Sequence, residues 1–175
     1  MGAGDAEFQD FALSRWPRLV RTARLLGRCN VHDAEDLAQE ALIRLASRWG
    51  RIDEPDAYVR TILVRLTIDR SRRLRGKTFE PIDADSGEQL PAAPDHADLV
   101  VSDDEVERLL RRLPLRQQQV LVLRYLEGLS ESEIATQLRI SRGSVKRYAH
   151  LALGRLREPS PESSKEEDPH ARHHV

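Results

Sequence analysis

The apolar residues of the first 75 positions recur at helical spacing in four runs. Phe8, Phe11, Ala12 and Leu13 form one stripe, which Pro17 interrupts because an internal proline removes a backbone donor and crowds the preceding turn. Pro17 suits the first position of a second run, in which Leu19, Val20, Ala23 and Leu26 share a face and Arg18, Arg21, Arg24 and Arg28 point elsewhere. Leu37, Ala41, Leu45 and Trp49 make the third and clearest run. Asp33 is its predicted N-cap and Glu35 and Asp36 complement its first turn, so the pattern predicts a helix over 33–49. The fourth opens at Pro55 and carries Val59, Ile62, Leu63 and Leu66 toward a cluster of Asp69, Arg70, Arg72, Arg73 and Arg75. Its β-branched residues fit a strand as well, but its length favours helix.

Toward the other end, Leu129 to Arg147 read as a helix-turn-helix. Ser130 is placed to cap a short helix whose Ile134, Ala135 and Leu138 face inward. Arg139 and Ile140 form the turn, and Ser141 caps a second helix. Val145, Ala149, Ala152 and Leu156 share one face of that second helix. Arg142, Gly143, Ser144, Lys146, Arg147 and His150 lie on or beside the opposite one. Small and basic residues near the start of a recognition helix let its backbone approach a major groove, and an arginine there matches the O6 and N7 of guanine.

Between the two patterned regions the periodicity stops. Residues 77–101 hold Pro81, Asp83, Asp85, Gly87, Pro91, Pro94 and Asp98, turn formers and charges that cannot bury much surface. Residues 158–175 have the same character, with Pro159, Pro161, Ser163, Ser164 and an acidic run at Glu166–Asp168. The expected architecture is therefore all-α: a helical domain over 1–76, a flexible linker over 77–101, a second helical domain over 102–157 and a disordered tail over 158–175.

Charge segregates along the same boundaries, although the net charge of the 175-residue chain is only −1. Residues 1–76 carry 14 Lys/Arg against 11 Asp/Glu, and 108–157 carry 11 against 3. Residues 77–107 carry 1 against 10, and the tail 2 against 5. Two basic blocks flank an acidic connector, the electrostatic pattern of a phosphate-binding protein.

The remaining chemistry is sparse. Cys29 has no second cysteine to pair with. Together with His32 it lacks two further ligands at metal spacing, and His170, His173 and His174 belong to the polar tail. Trp16 and Trp49 read as core or lobe-edge aromatics. No set of nucleophile, base and orienter appears, nor a phosphate-cradling glycine loop, so no catalytic residue, metal or cofactor is expected. No apolar run approaches bilayer length and no secretory segment follows Met1, which points to a cytoplasmic protein without membrane insertion.

Taken together, three blocks resemble the sigma-70 family of RNA polymerase sigma factors, in its extracytoplasmic-function (ECF) group. The block from Asp33 to Glu40 resembles the family's polymerase-binding helix, Ala57 to Arg73 its minus-ten reader, and Leu113 to Arg157 its minus-thirty-five reader. The resemblance implies core polymerase contacts at Asp36, Gln39 and Glu40. It implies minus-ten contacts at Tyr58, Arg65, Thr67, Asp69, Arg72 and Arg73, and minus-thirty-five contacts at Arg142, Gly143, Ser144, Lys146, Arg147 and His150. It also implies core RNA polymerase and promoter DNA as partners, and an anti-sigma factor as a regulator. Three positions depart from the family pattern: Tyr58 where tryptophan is usual, Arg65 where asparagine is usual, and Arg139 where the turn usually has glycine. If the turn geometry is kept, Arg139 has to adopt a left-handed backbone at a cost of about 1 kcal/mol; the alternative is a slightly rebuilt turn. Two other functions fit parts of the pattern. One is a stand-alone helix-turn-helix DNA-binding regulator; the other is an adaptor that binds polymerase without reading DNA.

Overall fold

A computed structural model describes residues 3–75 and 103–157, and both blocks are helical. The expected linker and tail lie outside the described residues. Helix α1 runs Ala3–Gly27, α2 Val31–Ala46 and α3 Pro55–Arg75. The second block holds α4 Asp103–Arg111, α5 Leu115–Leu121 with a π-helical continuation Val122–Leu126, α6 Glu131–Leu138 and α7 Arg142–Arg157.

Two boundaries differ from the sequence expectation. The first two runs are a single helix with Pro17 inside it. The carbonyl that loses its partner at Pro17 belongs to Leu13, four residues back, and Leu13 is 75% exposed, so water can take that bond. The third helix is capped by Asn30, not Asp33, and ends at Ala46 instead of Trp49. The Asn30 side chain accepts from the Asp33 N–H at 2.8 Å, which leaves the Asp33 carboxylate free to pair with Arg70 of α3.

α1, α2 and α3 pack around Leu19, Ala23, Ala34, Leu37, Ala38, Ala41, Leu42, Leu45, Val59 and Leu63. Trp49 closes the open end, its ring 5.2 Å from both Phe8 and Phe11, and Trp16 is packed on the same core. α1 and α3 approach closely where Gly27 meets Thr67: a methyl group added at Gly27 would lie 2.8 Å from the Thr67 methyl.

A second core joins the two blocks. Leu25 and Leu26 of α1 and Val64 and Ile68 of α3 are buried together with Leu113, Val120, Leu123, Ile134, Leu138 and Val145 of the C-terminal half. The expectation of two domains did not include this shared core, because its contacts join residues about a hundred positions apart.

Candidate nucleic-acid and polymerase interface

The C-terminal lobe holds the helix-turn-helix in the expected register. Ser130 Oγ accepts the Glu133 N–H at 3.3 Å, and the Glu133 carboxylate accepts the Ser130 N–H at 2.8 Å. This reciprocal capping box satisfies donors that a helix start leaves open. The hydrogen bonds from the Ser130 side chain and backbone hold the Glu133 carboxyl below the usual carboxylate range. α6 ends on Arg139 at φ 55°, ψ 52°, the left-handed cap that its place in the turn requires. Ser141 Oγ then accepts the Ser144 N–H at 3.0 Å and starts α7.

Burial orients α7. Val145, Ala149 and Ala152 are buried and Leu156 is half-buried. Arg142, Gly143, Lys146 and His150 are exposed, and Ser144 and Arg147 are half-buried beside them. A methyl group at Gly143 would meet only Ser141 Oγ at 3.7 Å, an ordinary contact, so the fold does not demand glycine there. A bare backbone at that point instead leaves room for an approaching surface. Lys146 is held loosely, 3.8 Å from Glu131, which also accepts from Arg124 at 3.3 Å.

α3 presents a different face. Tyr58, Arg65 and Arg72 lie seven residues apart on one stripe, with Asp69 between them and Arg73 at its edge. Arg65, Asp69 and Arg73 are exposed; Tyr58 is half-buried against the N-terminal core. Arg72 is half-buried and donates to the Leu138 carbonyl at 3.1 Å, which ties it to the end of α6. Thr67 departs from the expectation. It is fully buried against Gly27, with its hydroxyl donated back to the Leu63 carbonyl at 2.8 Å, and so it is a packing residue without access to DNA in this arrangement.

Asp36, Gln39 and Glu40 stand together on the outer face of α2, because the inner face is taken by Leu37, Ala38 and Ala41. Asp36 and Gln39 are exposed. Glu40 accepts from Arg44 one turn along at 2.7 Å, and Ile43 beside them is 56% exposed, an apolar spot on an otherwise polar face.

Cys29 is half-buried, its Sγ 3.5 Å from the Ala23 carbonyl oxygen; burial, with Asp33 nearby, pushes its thiol above the usual range and away from reactivity. Among the described residues no three His, Cys, Asp or Glu side chains converge on one point, and no helix is long and apolar enough to cross a membrane. The three tail histidines lie outside the described residues.

Sequence reasoning missed the residues between the lobes. Glu127 is buried and accepts from Thr22 Oγ1 at 2.5 Å and from Arg18 at 3.2 Å. Gln118 donates to the Leu25 carbonyl at 2.6 Å and Gln119 to the Leu26 carbonyl at 3.2 Å. The one local signal was three consecutive glutamines, Gln117 to Gln119, set between Leu115 and Val120 where an apolar face was due.

Residues 14–77 match the family Sigma-70 region 2, and residues 103–156 match Sigma-70, region 4. The chain is 37% identical over 161 residues to the RNA polymerase sigma-E factor of Streptomyces coelicolor, covering 87% of this chain and 85% of that one. It is 34% identical over 150 residues to the ECF RNA polymerase sigma factor SigW of Bacillus subtilis, covering 77% and 78%. Its fold resembles the sigma factor RpoE of Bartonella quintana, solved in complex with the anti-sigma factor NepR. The TM-score is 0.56 at 23% identity, over 86% of this chain and 94% of that one. A stand-alone regulator would account for the C-terminal match alone, whereas both matched regions occur here in order. The chain belongs to the sigma-70 family and is an RNA polymerase sigma factor of the ECF group.

Proposed function

We propose that the two lobes divide promoter recognition between them. Residues 102–157 read the minus-thirty-five element as duplex, through Arg142, Gly143, Ser144, Lys146, Arg147 and His150 in the major groove. Residues 1–76 bind core polymerase and the minus-ten element, with Tyr58 and the arginines Arg65, Arg72 and Arg73 holding a separated strand by stacking and phosphate contact. The observation that carries this reading is the pair of outward stripes on α3 and α7, basic and largely exposed, in one chain. Thr67, buried in this arrangement, is left out of the proposed strand-binding set.

Asp36, Gln39 and Glu40 are the polymerase-docking group, their carboxylates meeting basic partner groups. Charge reversal at Asp36 and Glu40 together should weaken core binding at least tenfold and change folding stability by less than about 0.5 kcal/mol, since these side chains point away from the core. Titration against core enzyme and thermal unfolding check the two halves of that statement. Catalysis belongs to the polymerase, and the factor acts in the cytoplasm. The anti-sigma partner of the RpoE structure supports regulation of this chain by a protein of that kind.

Reconstituted run-off transcription tests the reading. Core enzyme with this chain should start at defined sites, and neither component alone should do so. Specific binding of duplex DNA by the chain alone, without core-dependent starts, would favour the regulator instead.

A further inference from the structure

Residues 108–157 carry 11 Lys/Arg but only 3 carboxylates, Glu127, Glu131 and Glu133. Two of them are committed elsewhere. Glu127 is buried against Thr22 and Arg18 of α1, and Glu133 closes the capping box with Ser130. Glu131 is the one of the three left for the outward side of the helix-turn-helix, at the first residue of α6. A helix start favours a carboxylate wherever the side chain points, but this one is aimed. Its Oε1 accepts from Arg124 Nη1 in the π-helical stretch at 3.3 Å, and its Oε2 lies 3.8 Å from Lys146 Nζ on α7. Arg124 is half-buried and leans over the Tyr125 ring at 5.8 Å, so the carboxylate is anchored from behind and offers its second oxygen to Lys146. Lys146 itself is 61% exposed, on a flexible four-carbon stem.

Lys146 on a DNA surface meets two kinds of acceptor. Phosphates occur at every step and carry no sequence, and each one neutralised adds to the salt-dependent, sequence-blind part of binding. Guanine O6 and N7 occur only at particular steps. A lysine ammonium is a point charge without the planar fork of arginine, so its own shape does not make it prefer a base to a phosphate. The neighbouring carboxylate supplies that preference. A phosphate brought to the same ammonium meets the like charge of Glu131, whereas a neutral base edge does not. The ammonium has three donors, so it can keep one on Glu131 and give another to a base.

We propose that Glu131 is a specificity-determining residue of the minus-thirty-five reader: acting through Lys146, it makes the ammonium a poor partner for phosphate and leaves it a good one for a base edge. The proposal rests on the reading in which α7 enters the major groove. Glu131 touches no base in this account, and is a positioning residue.

Holoenzyme reconstituted from core enzyme and the full chain tests this on two duplexes. Both carry one promoter mapped by run-off transcription, and in one of them the minus-thirty-five element is scrambled. Affinities are measured between about 50 and about 200 mM salt, the range over which phosphate contacts show most clearly. Glu131→Gln keeps the shape of the side chain and an oxygen for Arg124, and an unfolding curve checks that the fold is retained. On the scrambled duplex its log K should fall more steeply with log salt, by about 0.9, the slope of one further phosphate contact. Its affinity there should rise about three- to eightfold at about 0.1 M salt, as that slope implies. Affinity for the intact duplex should change less than about twofold, so discrimination between the duplexes falls. In a Lys146→Ala background the same substitution should have none of these effects. Unchanged slope and discrimination in Glu131→Gln would overturn the proposal. So would an equal gain in the Lys146→Ala background, because Glu131 would then act by its charge and not through Lys146. A parent holoenzyme that binds both duplexes equally would overturn the groove reading of α7 and the proposal with it, an outcome visible before any variant is compared.

Discussion

α7 and α3 are both basic helices assigned to DNA, yet the fold treats them differently. α7 turns Val145, Ala149 and Ala152, flanked by half-buried Tyr148, Leu153 and Leu156, to the core and leaves Arg142, Gly143, Lys146 and His150 exposed, with Lys146 held at 3.8 Å by one carboxylate. α3 is buried along most of its circumference. Val59 and Leu63 pack into the N-terminal core, Val64 and Ile68 into the core shared by the lobes, and Thr67 and Ser71 against the end of α1. Most residues proposed to read duplex are thus exposed on α7, whereas Arg72, proposed to hold a separated strand, is partly occupied by its bond to the end of α6.

Packing should separate the two helices most strongly. Ile68→Ala, in the shared core, should cost about 2–4 kcal/mol in thermal or denaturant unfolding. Leu151→Ala, on the 40% exposed side of α7, should cost less than about 0.5 kcal/mol. Similar losses at both sites would mean that the contrast in burial is not a contrast in energy.

The close approach of α1 and α3 offers a sharper probe. Gly27→Ala places a methyl group 2.8 Å from the Thr67 methyl and should cost about 1–3 kcal/mol of stability by overpacking. Thr67→Ser removes that methyl, so the double variant should recover part of the loss. Strictly additive effects in a double-mutant cycle would place the strain elsewhere.

How much of this was legible in the sequence depends on how far apart the interacting residues lie. The helix-turn-helix could be read because its determinants are local: Ser130 and Glu133 are three residues apart, and Arg139 takes the left-handed turn within the same short stretch. Asn30 caps the helix three residues before the position expected, and the Asp33 carboxylate so released pairs with Arg70 of α3, a partner that no local pattern reveals. Thr67 entered the minus-ten set only through the family resemblance, and its apolar neighbours Leu63, Val64, Leu66 and Ile68 gave no sign of exposure. Its burial depends on Gly27, forty residues earlier. Glu127 was illegible for the same reason, since Thr22 stands 105 positions away.

The smallest expected effect concerns acid stability of the N-terminal lobe. Hydrogen bonding to Arg15, together with its charge, holds the Asp56 carboxyl below the usual carboxylate range, with bonds at 2.5 and 2.8 Å. A lowered folded-state value stabilises the fold above the unfolded value, and that contribution is lost as pH falls through the folded one. Asp56→Asn should therefore lower Tm slightly at pH 7, and the difference from the parent should shrink as pH falls below about 4. A difference that grew on acidification would contradict the pairing.

The division of labour between the two helices is tested most directly by transcription from a promoter library randomised at both elements, comparing the parent with Arg147→Ala and Arg65→Ala. Arg147→Ala should relax preference at one upstream position by about 1–3 kcal/mol, the discrimination of one bidentate base contact, and leave the downstream element unchanged. Arg65→Ala should weaken selection or yield at the downstream element only. Altered preference at the same element in both variants, or at neither, would contradict the assignment of duplex reading to α7 and strand reading to α3.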